Sequence, residues 1–232
     1  MISMKHLNLK AFAGLLILLV VMAALLCLSA RTLDYWQAWV FLACFGTSAL
    51  VITLYLAKKD PKLLERRLHG GPTSEKAPRQ KLIQSITAVG FIGMLVIPAL
   101  NRRFAWTASP SYVAISGDIL VVIGFIIEFV VFKENTFASA IIELAPEQNV
   151  ISTGPYSVVR HPMYFGGLIM LLGMPLALGS WLGSSVLALM MPALMWRLID
   201  EENFLAKNLP GYVEYRNKVK YRLVPFLSLI HI

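Results

Sequence analysis

Residues Arg160 to Glu202 read RHPMYFGGLIMLLGMPLALGSWLGSSVLALMMPALMWRLIDEE. Polar residues open the stretch at Arg160-His161 and close it at Arg197-Leu-Ile-Asp-Glu-Glu202. Between them lie two apolar runs, 163–179 and 181–196, separated only by Gly179-Ser180. So short a break between two apolar runs predicts a tight helical hairpin. Its two polar ends then return to one membrane face and can meet. Gly166, Gly167, Gly173, Gly179 and Gly183 fall inside it. Small residues let helix backbones approach where no hydrophobic force drives helices together.

Four more apolar blocks precede the hairpin, at approximately 11–30, 37–57, 82–100 and 111–132. Each is close to the roughly 17–25 residues that cross a bilayer. The whole chain is 57% hydrophobic and only 15% charged. A soluble domain carries roughly 45–50% apolar and about 25% charged residues. The expected fold is therefore all-α: a polytopic membrane helix bundle of five to six spans, with the tight hairpin last and a cytosolic C-terminal helical extension. With no repeat or low-complexity segment, 1–232 reads as a single domain. The first block follows Lys5 and Lys10 like a signal peptide, but it is long for an h-region and no A-x-A site follows, so it reads as a retained span.

The net charge of +8 does not point to nucleic acid. The basic residues sit in loops between apolar blocks, where anionic lipid headgroups are the expected partners. Segment 58–81 holds Lys58, Lys59, Lys62, Arg66, Arg67, Lys76, Arg79 and Lys81 against Asp60, Glu65 and Glu75, whereas 31–36 has only Arg31 and Asp34. The positive-inside rule then places 58–81 and both termini in the cytosol. The segment 133–160 and the tail from Arg197 follow to the same side, and Arg102 and Arg103 fall on the other. Cys27 and Cys44 lie within apolar blocks and read as small core or lipid-facing residues.

Beyond Arg197, 197–209 has helical character, Pro210-Gly211 breaks it, and 212–221 forms a second short helix. Arg197 and Glu201 share a helix face. They are either a surface ion pair or a polar cavity wall in which Arg197 holds an anion and Glu201 or Glu202 holds a cation or a hydroxyl. Pro162 suits a first helical turn, which puts His161 at an N-cap, as a capping side chain or as part of a site. His6, His69, His161 and His231 lack ligand spacing, so no metal site is expected. Asp118 and Glu128, inside the fourth block, are candidates by default, but stand roughly 80° apart around a helix and are not expected to act together. The chain has no dinucleotide-binding Gly-x-Gly-x-x-Gly unit, P-loop, His-Glu-x-x-His or Gly-x-Ser-x-Gly.

Three elements in order, Gly154-Pro-Tyr-x-x-x-Arg-His-Pro-x-Tyr-x-Gly166, Arg197-x-x-x-Glu-Glu202 and Pro210-Gly-Tyr-x-x-Tyr215, resemble the isoprenylcysteine carboxyl methyltransferase family, which is related to the phospholipid N-methyltransferases. The resemblance covers about Asn135 to Pro225. It implies an integral membrane methyltransferase that uses S-adenosylmethionine at the cytosolic face without a Rossmann fold. On that resemblance 1–132 supplies N-terminal spans and 133–232 the cofactor-binding region. Gln148, Asn149, Val150 and Ile151 would line the cofactor largely through backbone. Tyr156, His161, Pro162, Met163 and Tyr164 would continue the wall, Glu201 would complete it with Glu202 beside it, and Arg197 would face the methyl acceptor. The acceptor would be a lipophilic small molecule or lipidated substrate arriving from the bilayer.

A sulfonium cation suits tyrosine faces and carboxylates, and methyl transfer depends mostly on orientation and exclusion of water. A carboxylate acceptor needs only a cation such as Arg197 to aim it. An amine acceptor needs a base, and Glu201 or Glu202 is then the candidate. Two other readings compete. Membrane sterol-type reductases resemble the same C-terminal portion and use NADPH, for which Lys207, Arg216, Lys218, Lys220 and Arg222 offer cations. A non-enzymatic scaffold or transporter subunit would instead use Asp118 and Glu128.

Overall fold

The structure is a computed structural model that describes residues 4–225; His231 lies outside the described residues. The regular elements among them are helices: α1 Met4–Ala30, α2 Trp36–Lys59, α3 Pro61–Leu68, α4 Pro78–Phe104, α5 Ser111–Glu134, α6 Pro162–Ala177, α7 Gly183–Asn208 and α8 Tyr212–Lys218, with a 3-10 turn at Gly154–Ser157. Four of them, α1, α2, α4 and α5, are long and apolar enough to cross a membrane. The apolar blocks read from the sequence fall inside these four and inside the α6–α7 hairpin.

Two differences from the sequence reading matter. Segment 58–81 is more than a charged loop, because α3 folds within it. Asp60 starts that helix by accepting a hydrogen bond from Leu63 N at 3.0 Å, and Pro61 occupies the first turn, where its missing N–H has no intrahelical partner to lose. Leu63 and Leu64 bury against Leu7, Leu56, Val131 and Phe132. The helical character read for 197–209 also proves to be one helix with the second apolar run. The last hairpin helix runs unbroken through Arg197 to Asn208, so Arg197, Glu201 and Glu202 ride on the same rigid rod as the apolar half of α7.

The helices gather their ends on two faces. On one, the Gly179-Ser180 turn meets the α1–α2 connection: Tyr35, 1% exposed, donates its hydroxyl to the Leu178 carbonyl at 2.6 Å. Arg102 donates to the Asp34 carbonyl there at 3.1 Å. On the other face lie α3, the start of α4, the end of α5, the start of α6, the end of α7, and α8. The N-terminal end of α1 joins this second face through Leu7 and Ala11. Both ends of the described chain thus lie on the face that carries the polar clusters Arg160-His161 and Arg197–Glu202.

Helices α5 and α6 pack with their backbones nearly touching. A Cβ at Gly124 would stand 2.6 Å from Met170 Cβ and 2.8 Å from the Gly166 carbonyl oxygen, and one at Gly173 would stand 2.6 Å from the Gly117 carbonyl oxygen. No side chain fits at these positions, which is the small-residue mode of helix association in a bilayer. The main core lies between these helices and α1, α2, α4 and α7, with Met22, Leu26, Phe41, Met94, Val121 and Met174 fully enclosed.

Candidate functional site

The second face holds two adjoining cavities. The first is walled by the segment 135–151, the 3-10 turn, the start of α6, the end of α7, and α8. Counted out to its open mouth, it holds about 770 Å³ of space not filled by protein atoms. The structure brings Gln148, Asn149, Val150, Ile151, Tyr156, His161, Pro162, Met163, Tyr164 and Glu201 together on its lining. The second cavity is bounded by Arg67 of α3, Gln84 and Thr87 of α4, Ser139 to Ile141, Gly167, Leu168 and Leu171 of α6, and Leu194, Arg197 and Leu198 of α7. It runs from polar groups at the face into the apolar gap between α6 and α7.

The cavities share Ser139, Ile141, Met163, Tyr164 and Glu201. Tyr164 donates its hydroxyl to Glu201 Oε2 at 2.6 Å, tying the first turn of α6 to the last stretch of α7. Deeper in the first cavity, Asn135 Nδ2 donates to the Tyr156 hydroxyl at 2.7 Å, and Tyr215 donates its own hydroxyl to the Tyr156 carbonyl at 2.8 Å. Burial pushes the Tyr156 hydroxyl up from its ordinary pKa despite the Asn135 hydrogen bond, so it stays a neutral hydroxyl. Thr153 also donates to Glu134, closing the turn against the end of α5.

Glu202 does not line either cavity, contrary to the expectation that it stands with Glu201 in the cofactor wall. Its side chain is 3% exposed and points the other way. Oε1 pairs with Arg160 Nε at 2.8 Å and His161 Nε2 at 3.1 Å, and Oε2 pairs with Arg222 Nε at 3.0 Å. Burial alone would raise its pKa. The His161 hydrogen bond and the charges of His161, Arg160 and Arg222 outweigh that and hold the carboxyl below the usual carboxylate range. The same arrangement settles the histidine: His161 occupies the N-cap of α6 but makes no side-chain cap hydrogen bond. Its ring turns to Glu202 instead. Backbone pairing reinforces this clasp, since Arg160 N donates to Tyr221 O at 2.9 Å and His161 N to Arg222 O at 3.0 Å.

Arg197 and Glu201 are not ion-paired to each other. Arg197, 8% exposed, donates from Nη1 to Glu75 Oε1 at 2.7 Å and to Gln80 Oε1 at 2.9 Å, and from Nη2 to the Ala140 carbonyl at 3.1 Å. Gln80 passes the connection on by donating to Asp200 at 2.8 Å. Glu75 and Gln80 are themselves buried. Sequence reasoning missed both residues, and also Arg67 and the 135–143 wall. For Arg67 a signal existed in the Asp60-Pro61 helix start.

Asp118 is buried with neither carboxyl oxygen hydrogen-bonded, and Glu128 leaves one oxygen so. The two do not meet at a common site. Glu128 lies beside Gly167, where its Oε1 would be 3.7 Å from a Cβ. No group of three or more His, Cys, Asp or Glu side chains among the described residues is placed to hold a metal ion.

The stretch from α5 to Pro210 carries most of both cavity walls. Residues 112–210 match the family model of phospholipid methyltransferases. The match covers less than half of the chain and is a likeness of this stretch to that family. The chain is also similar to the cobalt-zinc-cadmium resistance protein CzcN of Cupriavidus metallidurans, at 37% identity over 82 residues. That alignment covers 34% of this chain and 37% of the relative, so it compares one segment of each.

Proposed function

We propose that the chain is a methyltransferase that takes S-adenosylmethionine in the first cavity and a lipophilic methyl acceptor in the second. The observation that carries this reading is the shared wall: one polar, tyrosine-rich cavity open at the membrane face and one cavity reaching between apolar helices meet at Met163, Tyr164 and Glu201. The donor set fits the cofactor. Glu201 offers a carboxylate and Tyr156 and Tyr164 offer aromatic faces, both suited to a cation, and Gln148 to Ile151 offer backbone polar groups along one side.

S-adenosylmethionine supplies, when bound, an electrophilic methyl group on a positively charged sulfur. Tyr164 fixes the Glu201 carboxylate at the junction of the cavities. The Glu202 clasp fixes the first turn of α6, and with it Pro162, Met163 and Tyr164, against the tail. The apolar side chains of α6 and α7 exclude water from the junction, which favours transfer to the acceptor over transfer to solvent. A carboxylate acceptor needs no proton removed; an amine acceptor must lose one, and Glu201 is the base within the shared wall. The family match favours the phospholipid class of acceptor, whereas the motif spacing resembles the isoprenylcysteine class.

Purified chain in detergent should bind S-adenosylhomocysteine, and Glu201→Ala should lose that binding. Undiminished affinity in Glu201→Ala would overturn the placement. A transfer assay with radiolabelled S-adenosylmethionine against phospholipids, quinones and prenylated thiols would assign the acceptor. A thermal shift with NADPH and none with S-adenosylhomocysteine would replace this reading by a reductase.

A further inference from the structure

Two guanidinium groups reach the second cavity, and they differ in what already holds them. Arg197 is already held by the Glu75 carboxylate, by Gln80 and by the Ala140 carbonyl. Arg67 is not. Its two hydrogen bonds both leave from Nη1 and both are long, 3.4 Å to the Ser139 carbonyl and 3.5 Å to Met163 Sδ. Its guanidinium stacks over Phe132, 4.9 Å from the ring centroid. Among the described residues no carboxylate comes within ion-pair distance of it; Glu128 acts only at longer range. Burial, with Arg197 adding repulsion, depresses its pKa, against partial compensation from Glu128. A partly buried cation with no carboxylate beside it is poorly compensated. It sits at the rim of a cavity whose other end is Leu168, Leu171 and Leu194.

We propose that Arg67, on the short amphipathic helix α3, binds the anionic oxygen group of the methyl acceptor, a phosphate or carboxylate whose apolar tail lies between α6 and α7. This rests on the methyltransferase reading only for the word acceptor; the site itself is defined by its chemistry. Arg67 supplies a planar fork that matches such oxygens. Phe132 holds the plane of the fork, and the polar rim and apolar interior match an amphiphile and not a soluble anion. Arg197 is then a framework residue of the same cavity, and Arg67 is the residue that positions the ligand.

The test uses the full chain in a neutral detergent and three probes: dodecyl phosphate, dodecanol and inorganic phosphate. Wild type should bind dodecyl phosphate more tightly than dodecanol by about tenfold or more, the scale of a charge-assisted hydrogen bond. Arg67→Gln should erase that preference, and Arg67→Lys should keep part of it. Affinity for S-adenosylhomocysteine should be unchanged in both variants, which also shows that they fold. Equal affinity of wild type for the phosphate and the alcohol, or a preference retained by Arg67→Gln, overturns the proposal. Inorganic phosphate binding as tightly as dodecyl phosphate overturns the amphiphile. Failure of wild type to bind S-adenosylhomocysteine while the dodecyl phosphate preference persists sinks the methyltransferase reading and leaves the anion site standing.

Discussion

The Tyr164 hydroxyl stands 2.6 Å from Glu201 Oε2 at the one wall that both cavities share. The pair joins the first turn of α6 to the C-terminal half of α7, 37 residues later. Removing the hydroxyl leaves the carboxylate in place but free to rotate. Tyr164→Phe should therefore lower turnover by about tenfold or more, the worth of a hydrogen bond to a charged group, while S-adenosylhomocysteine affinity changes much less. Steady-state kinetics beside a binding isotherm separate the two; equal loss in both would make Tyr164 only a wall of the cofactor cavity.

Glu202 gives the fold a pH dependence. Its carboxyl is held below the usual range by His161, Arg160 and Arg222 against the effect of burial. A depressed carboxylate contributes stability that is fully present above the unfolded value of about 4.3 and is lost as pH falls through its lower folded value. Glu202→Gln should cost about 3 kcal/mol near pH 7, because it strands the guanidinium groups around it. The gap between variant and wild type should close as pH falls below about 4. Thermal unfolding in detergent across that range checks it, and a gap that stays constant with pH would refute the assignment.

The Glu75–Arg197 contact makes a different prediction. Arg197→Ala should lose turnover while keeping cofactor affinity, since Arg197 faces only the second cavity. Glu75→Ala leaves a buried guanidinium without its carboxylate and should destabilise by about 3–5 kcal/mol. A double variant, Glu75→Ala with Arg197→Met, should recover part of that loss. A wild-type rate in Arg197→Ala would remove this residue from the acceptor site.

Gly124→Ala tests the α5–α6 seam. The added methyl would lie 2.6 Å from Met170 Cβ and 2.8 Å from the Gly166 carbonyl oxygen, and overpacking of this kind costs about 1–3 kcal/mol. Because α6 carries Pro162 to Tyr164, cofactor affinity should fall together with the unfolding temperature. Unchanged values of both would show that the seam can open without cost.

The spans were legible because bilayer crossing is written locally, in unbroken apolar length. The same holds for the cavity residues in the Arg160–Tyr164 segment, where a proline helix start fixes direction. What stayed hidden depends on distant partners. Arg197 and Glu201 share a face, yet Arg197 turns to Glu75 across 122 residues and Glu201 to Tyr164. Glu202 sits next to Glu201, but the one-residue step around α7 aims it at Arg160 and Arg222 instead of the cavity. Segment 58–81 advertised its charge and concealed α3, because eight residues are too few for periodicity to stand out and the Asp60-Pro61 start is a quiet signal.

Helix α6 has 16 residues, or about 24 Å of rise, against a hydrocarbon core of about 30 Å. Tyr35 moors its far end through the Leu178 carbonyl, so the helix cannot slide to share the shortfall. In a bilayer the shortfall would fall at the end that carries Pro162, Met163 and Tyr164, drawing the headgroup level inward around it. A membrane-dissolved molecule would then meet the junction of the two cavities at its own depth, without being lifted into water.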